Sequence, residues 1–167
     1  MKNKGFSLIE LMIVLILISL SVALIAPTLS RFLRTVELKG TAKKVSGILR
    51  YYRSEAVNKG RVYQVLFDSN LREIRVQSMG STEEKDEKTE EKISKMTYLL
   101  PEGIRMKEID IPSPQYPSDF PLIEFYPNGG SNGGSILLDS QDRKGYRIEV
   151  HFLTGIVKVE RAEGIGG

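Results

Sequence analysis

The pattern of apolar and polar positions divides the chain into a long N-terminal helix and a C-terminal region of short strands. From Phe6 to Leu29 the residues are almost all apolar, and Glu10 carries the only charge. A helix of these 24 residues extends about 36 Å, more than the roughly 30 Å of a membrane's hydrocarbon core. The pattern therefore predicts a membrane-spanning helix that contains one carboxylate.

A second helical pattern follows the apolar stretch and is amphipathic. Apolar residues recur every three or four positions, which places them on one face of a helix: Leu38, Ala42, Val45, Leu49, Tyr52 and Ala56. Gly60 then supplies a residue suited to the left-handed conformation that ends many helices. We therefore predict one long helix, with residues 6–29 as its transmembrane half and residues 30–60 as its amphipathic half.

From Arg61 onward the apolar residues alternate with polar ones, and the period changes to two. The alternation predicts strands at 62–67, 71–77, 98–100, 122–126, 135–138, 146–152 and 156–160. Asp68-Ser69-Asn70 and Thr154-Gly155 are turn signals that join two hairpins. The predicted fold class is α+β, in which the long N-terminal helix packs on an antiparallel β-sheet domain at 61–167.

Two segments do not fit a core. Residues 80–95 contain six acidic and four basic residues, which predicts a charged, solvated loop. Their spacing lacks the ordered alternation of a calcium loop, so we expect no metal there. Residues 112–121 contain four prolines and predict an extended loop. The chain has no cysteine, which excludes disulfides and thiolate metal sites, and we predict no cofactor.

The N-terminus carries the most specific motif. Gly5-Phe6-Ser7-Leu8-Ile9-Glu10 resembles the leader-cleavage motif of the type IV pilin and type II secretion pseudopilin superfamily. The resemblance implies that a prepilin peptidase removes residues 1–5 by cutting between Gly5 and Phe6, and that Phe6 is then N-methylated. It also implies a bend at Pro27 when the helix packs in a filament. A signal peptide would instead need a small-residue cleavage site, and here Pro27 follows Ala26.

Glu10 has two candidate roles. An unpaired carboxylate is costly to bury in an apolar helix, so such a residue usually has a partner. After cleavage the new amine of Phe6 is a cation in an apolar filament core, and the Glu10 carboxylate, one helical turn along, can neutralise the amine of a neighbouring subunit. The alternative is that Glu10 compensates the amine and the free N–H groups at the start of its own helix.

Two signals for membrane orientation conflict. Basic residues follow the apolar segment at Arg31, Arg34, Lys39, Lys43 and Lys44 and outnumber Lys2 and Lys4, so charge counting places the C-terminal side in the cytoplasm. The leader motif implies the reverse, because its peptidase acts from the cytoplasm. We follow the motif and predict a single-pass protein of the bacterial inner membrane, in contact with lipid, with a cytoplasmic N-terminus and a periplasmic C-terminal domain.

The C-terminal third narrows the family. Segments 125–131, 134–138, 146–150 and 154–159 resemble the H-type minor pseudopilins of type II secretion and the related FimT-like minor pilins. The resemblance implies a non-enzymatic subunit near the tip of a periplasmic filament that drives protein export. The implied partners are other major and minor pseudopilins or pilins, the prepilin peptidase and an inner-membrane assembly platform.

A glycine-rich loop lies within this third and is either an interface with a partner or a simple connection between strands: Gly129, Gly130, Ser131, Asn132, Gly133 and Gly134. The same residues include a G-x-S-x-G pattern, with Asp139 and His151 downstream. A nucleophile elbow needs a helix after its serine, whereas 135–138 predicts a strand. The alternation also turns His151 to solvent beside Arg147 and Glu149. We therefore predict no catalytic residues.

Three other functions are alternatives to this one. A FimT-like minor pilin that binds DNA needs clustered basic residues, but here Lys158 and Arg161 alternate with Glu160 and Glu163, so nucleic acid is not an expected partner. A membrane-anchored adaptor outside any filament would have no use for the cut at Gly5. A minor subunit that primes a long pilus would share every feature, and the sequence leaves that alternative open.

Overall fold

The computed structural model describes residues 7–79, 96–113, 118–140 and 145–162, with side chains throughout except at 23–31. The predicted leader, the charged loop at 80–95 and the prolines at 114 and 117 lie outside these residues. The chain forms two units, Met1–Val36 and Glu37–Gly167. The described residues contain a helix α1 and eight strands: α1 at Leu8–Lys59, β1 at Val62–Asp68, β2 at Glu73–Met79, β3 at Met96–Leu99, β4 at Ile104–Asp110, β5 at Leu122–Phe125, β6 at Gly134–Ser140, β7 at Gly145–Val150 and β8 at Val157–Ala162.

The predicted apolar face of the amphipathic helix is confirmed. All six residues of that face are buried in the second unit, and Ile48 joins them. They share one core with residues from both sheets of this unit, which is what a helix with one apolar stripe requires. The helix ends at Lys59, and Gly60 follows with a φ of 63°, so the predicted left-handed helix end is also confirmed.

The strands form two antiparallel sheets in the second unit. Sheet A has the order β3-β2-β1-β5, and sheet B has the order β4-β6-β7-β8. Every strand pairing in the described chain is antiparallel. The predicted antiparallel β domain is therefore confirmed. Val65, Phe67 and Ile123 from sheet A and Ile136, Leu138 and Ile148 from sheet B are fully buried or nearly so in the common core.

The first hairpin differs slightly from its prediction. β1 continues through Asp68, and β2 begins at Glu73 rather than at Leu71. The Asp68 carboxylate explains the longer turn, because its Oδ1 accepts hydrogen bonds from the backbone N–H groups of Asn70 and Leu71, both at 3.0 Å. Arg72 completes the turn in the left-handed region with a φ of 55°. An aspartate that bonds to the backbone two residues on is a common way to close such a turn.

Strand β4 was not predicted, and a bulge explains why. Ile104 and Met106 are buried, but the register with β6 shifts between Met106 and Glu108. The next residue to pack against the core is therefore Ile109 instead of residue 108. A β-bulge inserts one extra residue and moves the inward positions by one. The alternation of apolar residues is thus interrupted, and a period-two search passes over the segment.

A row of hydrogen-bonded polar side chains crosses sheet A, with Gln64 and Glu124 buried and Gln77 and Tyr126 half-buried. Gln77 donates from Nε2 to Gln64 Oε1 at 2.7 Å, and Gln64 donates to Glu124 Oε1 at 3.0 Å. Tyr126 donates its hydroxyl hydrogen to the second oxygen of Glu124 at 3.0 Å. Gln64 lies opposite both Gln77 and Glu124 in the strand register. Because buried polar groups need their partners, this row favours one register among β2, β1 and β5.

Candidate interaction surface

The start of α1, in the first unit, has an unusual surface. From residue 7 to residue 22 every side chain is exposed, and most of them are large and apolar. Within the described residues, no helical stretch combines the length and the apolar character that a membrane crossing requires.

The residues predicted for processing and assembly can be placed only in part. Gly5 and Phe6 lie outside the described residues. Glu10 lies in the first turn of α1 and is exposed. Pro27 falls within α1, but its side chain lies outside the described ones. The predicted roles of these four residues in cleavage, methylation and assembly stay predictions.

The glycine-rich loop, residues 129–134, lies in the connection between the two sheets and is closely hydrogen-bonded. The Gly129 N–H donates to Tyr126 O at 2.9 Å, and the Tyr126 N–H donates to Gly130 O at 3.0 Å. Asn128 Oδ1 accepts from the Gly130 N–H at 2.9 Å. Gly129 has a φ of 83°, a conformation that glycine adopts without steric penalty. Gly129, Gly130, Ser131 and Gly133 are buried, so only part of the loop is open to a partner.

Asn132 covers the outer edge of sheet A. Its Oδ1 accepts from the Glu124 N–H at 2.8 Å, and its Nδ2 donates to Leu122 O at 3.0 Å. One side chain thus satisfies a donor and an acceptor of edge strand β5, and Ser131 forms a bridge with Phe125 beside it. An uncovered edge strand invites pairing with another chain. The loop therefore protects this edge, a role that the sequence did not indicate.

The second hairpin ends in an apolar tip, residues 151–156. The His151 N–H donates to Ile156 O at 3.0 Å, and the Gly155 N–H donates to His151 O at 2.7 Å. The predicted Thr154-Gly155 turn is confirmed, with a φ of 61° at Gly155. Phe152, Leu153 and Ile156 are 57%, 68% and 51% exposed. Three large apolar side chains at one tip form a patch of the kind that often marks an interaction site.

The apolar tip is held against the glycine-rich loop. The Ser131 N–H donates to Phe152 O at 2.9 Å. A Cβ added at Gly133, where φ is 74°, would lie 2.8 Å from the Phe152 Cβ, so only glycine permits this approach. The loop and the tip therefore form one continuous surface, joined by a hydrogen bond and by direct packing.

Two arginines of α1 hold the glycine-rich loop and the second hairpin in place through hydrogen bonds. Arg50 donates from Nη2 to Val157 O at 3.0 Å. Arg53 donates from Nε to Thr154 O at 2.8 Å and to Gly129 O at 3.2 Å. Neither residue belongs to the apolar face that was predicted for the helix, and no sequence pattern indicated these contacts. Their partners are backbone carbonyls. Every residue has one, so the sequence cannot indicate which carbonyl accepts the hydrogen bond.

A cleft of about 810 Å³ lies beside the loop and the tip. Asn132, Gly133 and Gly134 of the loop line it, and His151 and Phe152 line it from the hairpin. The outer face of sheet B provides its floor through Ser135, Arg147 and Glu149, and the end of β4 adds Asp110 and then Pro112. Half of the loop predicted as a candidate interface therefore lines the cleft.

Charges on the outer face of sheet B are mostly paired. Arg147 lies 3.1 Å from Glu108 and donates to Ser135 Oγ at 3.0 Å. Arg105 lies 2.8 Å from Asp139, whose hydrogen bond and charge raise the pKa of Arg105. Asp110 and Glu149 are exposed, and neither has an ion pair within 4.0 Å among the described residues. The cleft therefore contains two carboxylates that form no ion pair within 4.0 Å with any described residue, although Lys158 lies opposite Glu149 in the register of β7 and β8.

The serine-hydrolase pattern does not assemble as a nucleophile elbow. Ser131 Oγ accepts from the Gly133 N–H at 3.0 Å, and strand β6 begins at Gly134, so the segment after the serine is a strand, as predicted. Asp139 is held by Arg105. His151 is exposed as predicted, stacks on Phe152 and has Nδ1 3.3 Å from Thr154 Oγ1. Each of the three side chains thus has a separate local partner.

Comparison of the fold with solved structures defines the class of protein. The structure is similar to the minor pseudopilin EpsH from the type 2 secretion system of Vibrio cholerae, with a TM-score of 0.56 and 15% identity over 78% of this chain and 97% of that one. It is also similar to the type IV minor pilin FimU of Pseudomonas aeruginosa, with a TM-score of 0.51 and 16% identity over 77% and 92% of the two chains. Likeness at such identities shows the fold alone, which is pilin-like, α+β.

Sequence comparison identifies the family within this class. Residues 41–154 match the family model described as type II transport protein GspH, and residues 1–26 match the prokaryotic N-terminal methylation motif. Type II secretion system protein H of Xanthomonas campestris pv. campestris is 27% identical over 155 residues, which cover 93% of this chain and 82% of that protein. The chain belongs to the GspH family, the H-type minor pseudopilins of type II secretion.

The family membership confirms the main sequence predictions of class and function. H-type minor pseudopilins are structural subunits that associate with other pseudopilins in a membrane-anchored periplasmic filament. The resemblance seen at 5–10 and in the C-terminal third was thus correct, and the branch is the secretion branch.

Proposed function

We propose that this chain is a subunit near the tip of the periplasmic pseudopilus, where it helps to drive the export of folded proteins by type II secretion. The observation that carries the proposal is the match of residues 41–154 to the GspH family together with the methylation motif at 1–26. Its partners in this role are the major and the other minor pseudopilins, with an inner-membrane platform that assembles them.

We further propose that residues 6–29 anchor the chain in the inner membrane, with the N-terminus in the cytoplasm and the C-terminal domain in the periplasm. The apolar sequence of this segment and the exposed apolar side chains of residues 11–18 support the proposal. A helix that is apolar on all sides is stable in lipid or among other apolar helices. The pseudopilus offers the second environment when the subunit leaves the membrane.

Processing follows from the same segment. A prepilin peptidase cuts after Gly5 and methylates the new N-terminus at Phe6. Because the cut precedes the apolar stretch, the mature chain keeps its anchor. Glu10 then lies one helical turn from the mature N-terminus, where its carboxylate pairs with the methylated amine of a neighbouring subunit and lowers the cost of burying both charges. Pro27 allows the helix to bend within the filament.

The proposed role is mechanical, and the chain carries no catalytic step. The force for export comes from other components, and this subunit contributes shape and contact surfaces. Among the described residues no cluster of metal-ligating side chains occurs, and the proposed role requires neither a metal nor a cofactor. DNA is not a proposed partner, because the basic and acidic residues of β8 alternate.

The proposal is tested in the organism by deleting the gene and restoring it on a plasmid. We expect deletion to abolish export of type II substrates while surface pili persist, and the restored chain to recover export. Mass spectrometry of the chain extracted from membranes should show a polypeptide that begins at Phe6 and carries one added methyl group. A deletion that removes pili but leaves export intact would assign the chain to a pilus system instead, and an unprocessed Met1 would refute the cleavage.

A further inference from the structure

We propose that the cleft beside the glycine-rich loop binds an extended segment of a partner protein in which lysine or arginine alternates with aliphatic or aromatic residues. The inference rests on the proposed function only in that a subunit of a filament has protein neighbours. It adds the position of the binding surface and the chemistry of the partner.

The shape of the cleft suits a peptide segment. Its volume of about 810 Å³ falls within the roughly 300–1,000 Å³ of typical ligand sites. Residues of the outer face of sheet B line it, together with Gly133 and Gly134 of the loop. A Cβ at Gly134, where φ is 133°, would lie 2.9 Å from Asp110 O. Glycine therefore permits the loop and the end of β4 to meet at the cleft.

The charges of the cleft favour a cation. Arg147 is the permanent cation in its lining, and Glu108 at 3.1 Å neutralises it. Asp110 and Glu149 also line the cleft and have no ion-pair partner within 4.0 Å in the described ranges. Lys158 lies opposite Glu149 in the register of β7 and β8, and Glu160 lies opposite Arg147, so the acidic groups still outnumber the basic ones. The chain as a whole has a formal charge of +3, so the acidic character is local. An acidic segment or a nucleic acid would meet repulsion here, whereas a basic side chain would be attracted.

The rim of the cleft favours a partner segment in which apolar residues lie next to the basic one. Phe152 lines the cleft, and Leu153 and Ile156 extend the exposed apolar tip beside it. The tip keeps this exposed arrangement because Arg53 holds Thr154 O and the Ser131 N–H holds Phe152 O. An apolar rim held in place next to exposed carboxylates loses little conformational freedom on binding. The partner segment therefore alternates basic residues, which reach the carboxylates, with apolar ones, which cover the tip.

The test uses the full chain in detergent micelles and three fluorescent eight-residue peptides. One alternates lysine with valine, the second alternates glutamate with valine, and the third alternates lysine with serine. Fluorescence anisotropy at low ionic strength measures their affinities. We expect the lysine–valine peptide to bind at least tenfold more tightly than either of the others. We also expect added salt to weaken its binding, because exposed ion pairs are screened.

Matched variants locate the site. Replacing both carboxylates, with Asp110→Asn and Glu149→Gln, should weaken binding about tenfold, because each exposed ion pair contributes a factor of roughly two to five. The variant with Phe152→Ser and Leu153→Ser should weaken binding by at least as much. Glu102→Gln with Asp119→Asn removes two exposed carboxylates elsewhere, and Leu71→Ser removes a leucine that is 58% exposed on the other hairpin. Both controls should bind like the wild type.

Several results would overturn the proposal. One is equal binding of the glutamate–valine or the lysine–serine peptide, and another is undiminished binding by either cleft variant. Self-association of the chain that is lost with Phe152→Ser and Leu153→Ser, without peptide binding, would instead assign the cleft to a second copy of this chain. The measurement needs no secretion component. Failure of peptide binding therefore leaves the proposed function standing, and failure of the export test leaves a positive peptide result standing.

Discussion

Gly155 at the tip of the second hairpin approaches Gly129 of the glycine-rich loop so closely that a Cβ added at Gly155 would lie 2.6 Å from Gly129 O. The same Cβ would lie 2.9 Å from Arg53 Nε, which itself donates to that carbonyl. Loop, hairpin and helix thus meet at one point. The position of the apolar tip and of the cleft depends on this meeting, and two of the predictions below test it.

Gly155→Ala should destabilise the second unit by more than about 3 kcal/mol, because it combines a left-handed backbone strain of roughly 1–2 kcal/mol with a steric clash. Gly60→Ala is the matched control. Gly60 has nearly the same φ, 63° against 61° for Gly155, but nothing lies within 4 Å of its added Cβ. The control should lose only the strain energy. Urea unfolding compares the two variants, and equal losses would contradict the close approach.

Arg53→Met keeps much of the side-chain volume but removes the hydrogen bonds to Gly129 O and Thr154 O. We expect a loss of about 1–3 kcal/mol, because hydrogen bonds from a charged donor contribute roughly this much. Lys39→Met, at an exposed position of the same helix, removes an equal charge and should change the free energy of unfolding by less than about 0.5 kcal/mol. If both variants unfold at the same urea concentration, Arg53 does not fix the surface.

Asn132→Ala should uncover strand β5. The variant leaves the Glu124 N–H and Leu122 O without the side chain that binds them, at a cost of about 1–3 kcal/mol. It should also aggregate faster, because a free strand edge pairs with other chains. Asn58→Ala removes an exposed amide whose hydrogen bond to Ser54 Oγ is 3.4 Å long and serves as the control. Light scattering at moderate temperature distinguishes them, and identical traces would contradict the edge-covering role.

Tyr52→Phe should make the domain more resistant to alkaline pH. Burial, and secondarily the neighbouring Tyr51 and Tyr63, raise the pKa of Tyr52 above its ordinary value of 10.0. A group with a raised folded-state pKa contributes stability below its unfolded pKa and loses it as the pH rises through the folded pKa. Wild-type stability should therefore fall above about pH 10, and the variant should fall less steeply. Urea midpoints at several pH values measure this.

The control for the alkaline experiment is Tyr51→Phe, which removes an exposed hydroxyl from the same helix. It leaves the buried Tyr52 hydroxyl beside Met96 Sδ at 3.5 Å and should keep most of the steep loss. A Tyr52→Phe protein with the full wild-type pH dependence would show that Tyr52 is not the group responsible.

Glu10→Ala should be processed and inserted into the membrane but should fail to join other pseudopilins. The removal of the carboxylate leaves the amine of a neighbouring subunit unpaired in an apolar environment. Co-purification of the membrane-extracted protein with the other pseudopilins measures assembly, and mass spectrometry confirms the cleavage after Gly5. Glu37→Ala, at an exposed carboxylate further along α1, should co-purify normally. Normal co-purification of Glu10→Ala would favour the alternative role at its own helix start.

Much of the fold was predictable because it depends on local periodicity. The spacing of Leu38, Ala42 and Val45 predicted the buried helix face, and Gly60 predicted its end. Seven of the eight described strands were predicted, with boundaries shifted by a few residues. The shift at β2 came from Asp68, whose side chain lengthened the turn. The miss at β4 came from the bulge near Lys107, which reversed the alternation partway through the strand.

The candidate site was predictable only as a loop. The glycines indicated that residues 129–134 are unusual, but three features of the surface depend on contacts between distant segments. Asn132 reaches back to β5, Arg53 reaches across from the helix, and Asp110 meets the loop from β4. Each contact uses backbone groups or a close approach of two backbone segments. The residue types alone do not indicate such contacts.

The sequence by itself determined the local properties of this protein: an apolar N-terminal segment with one carboxylate, the cleavage and methylation motif, an amphipathic helix and alternating strands. These depend on residues close together in the chain, so their period and order are sufficient. Only the tertiary structure decided that the strands form two sheets and that the glycine-rich loop covers the edge of β5. It also placed beside an apolar tip a cleft with two carboxylates that form no close ion pair with any described residue. Those features arise from pairing and packing between residues far apart in sequence, where many arrangements share one pattern and only the packed chain selects among them.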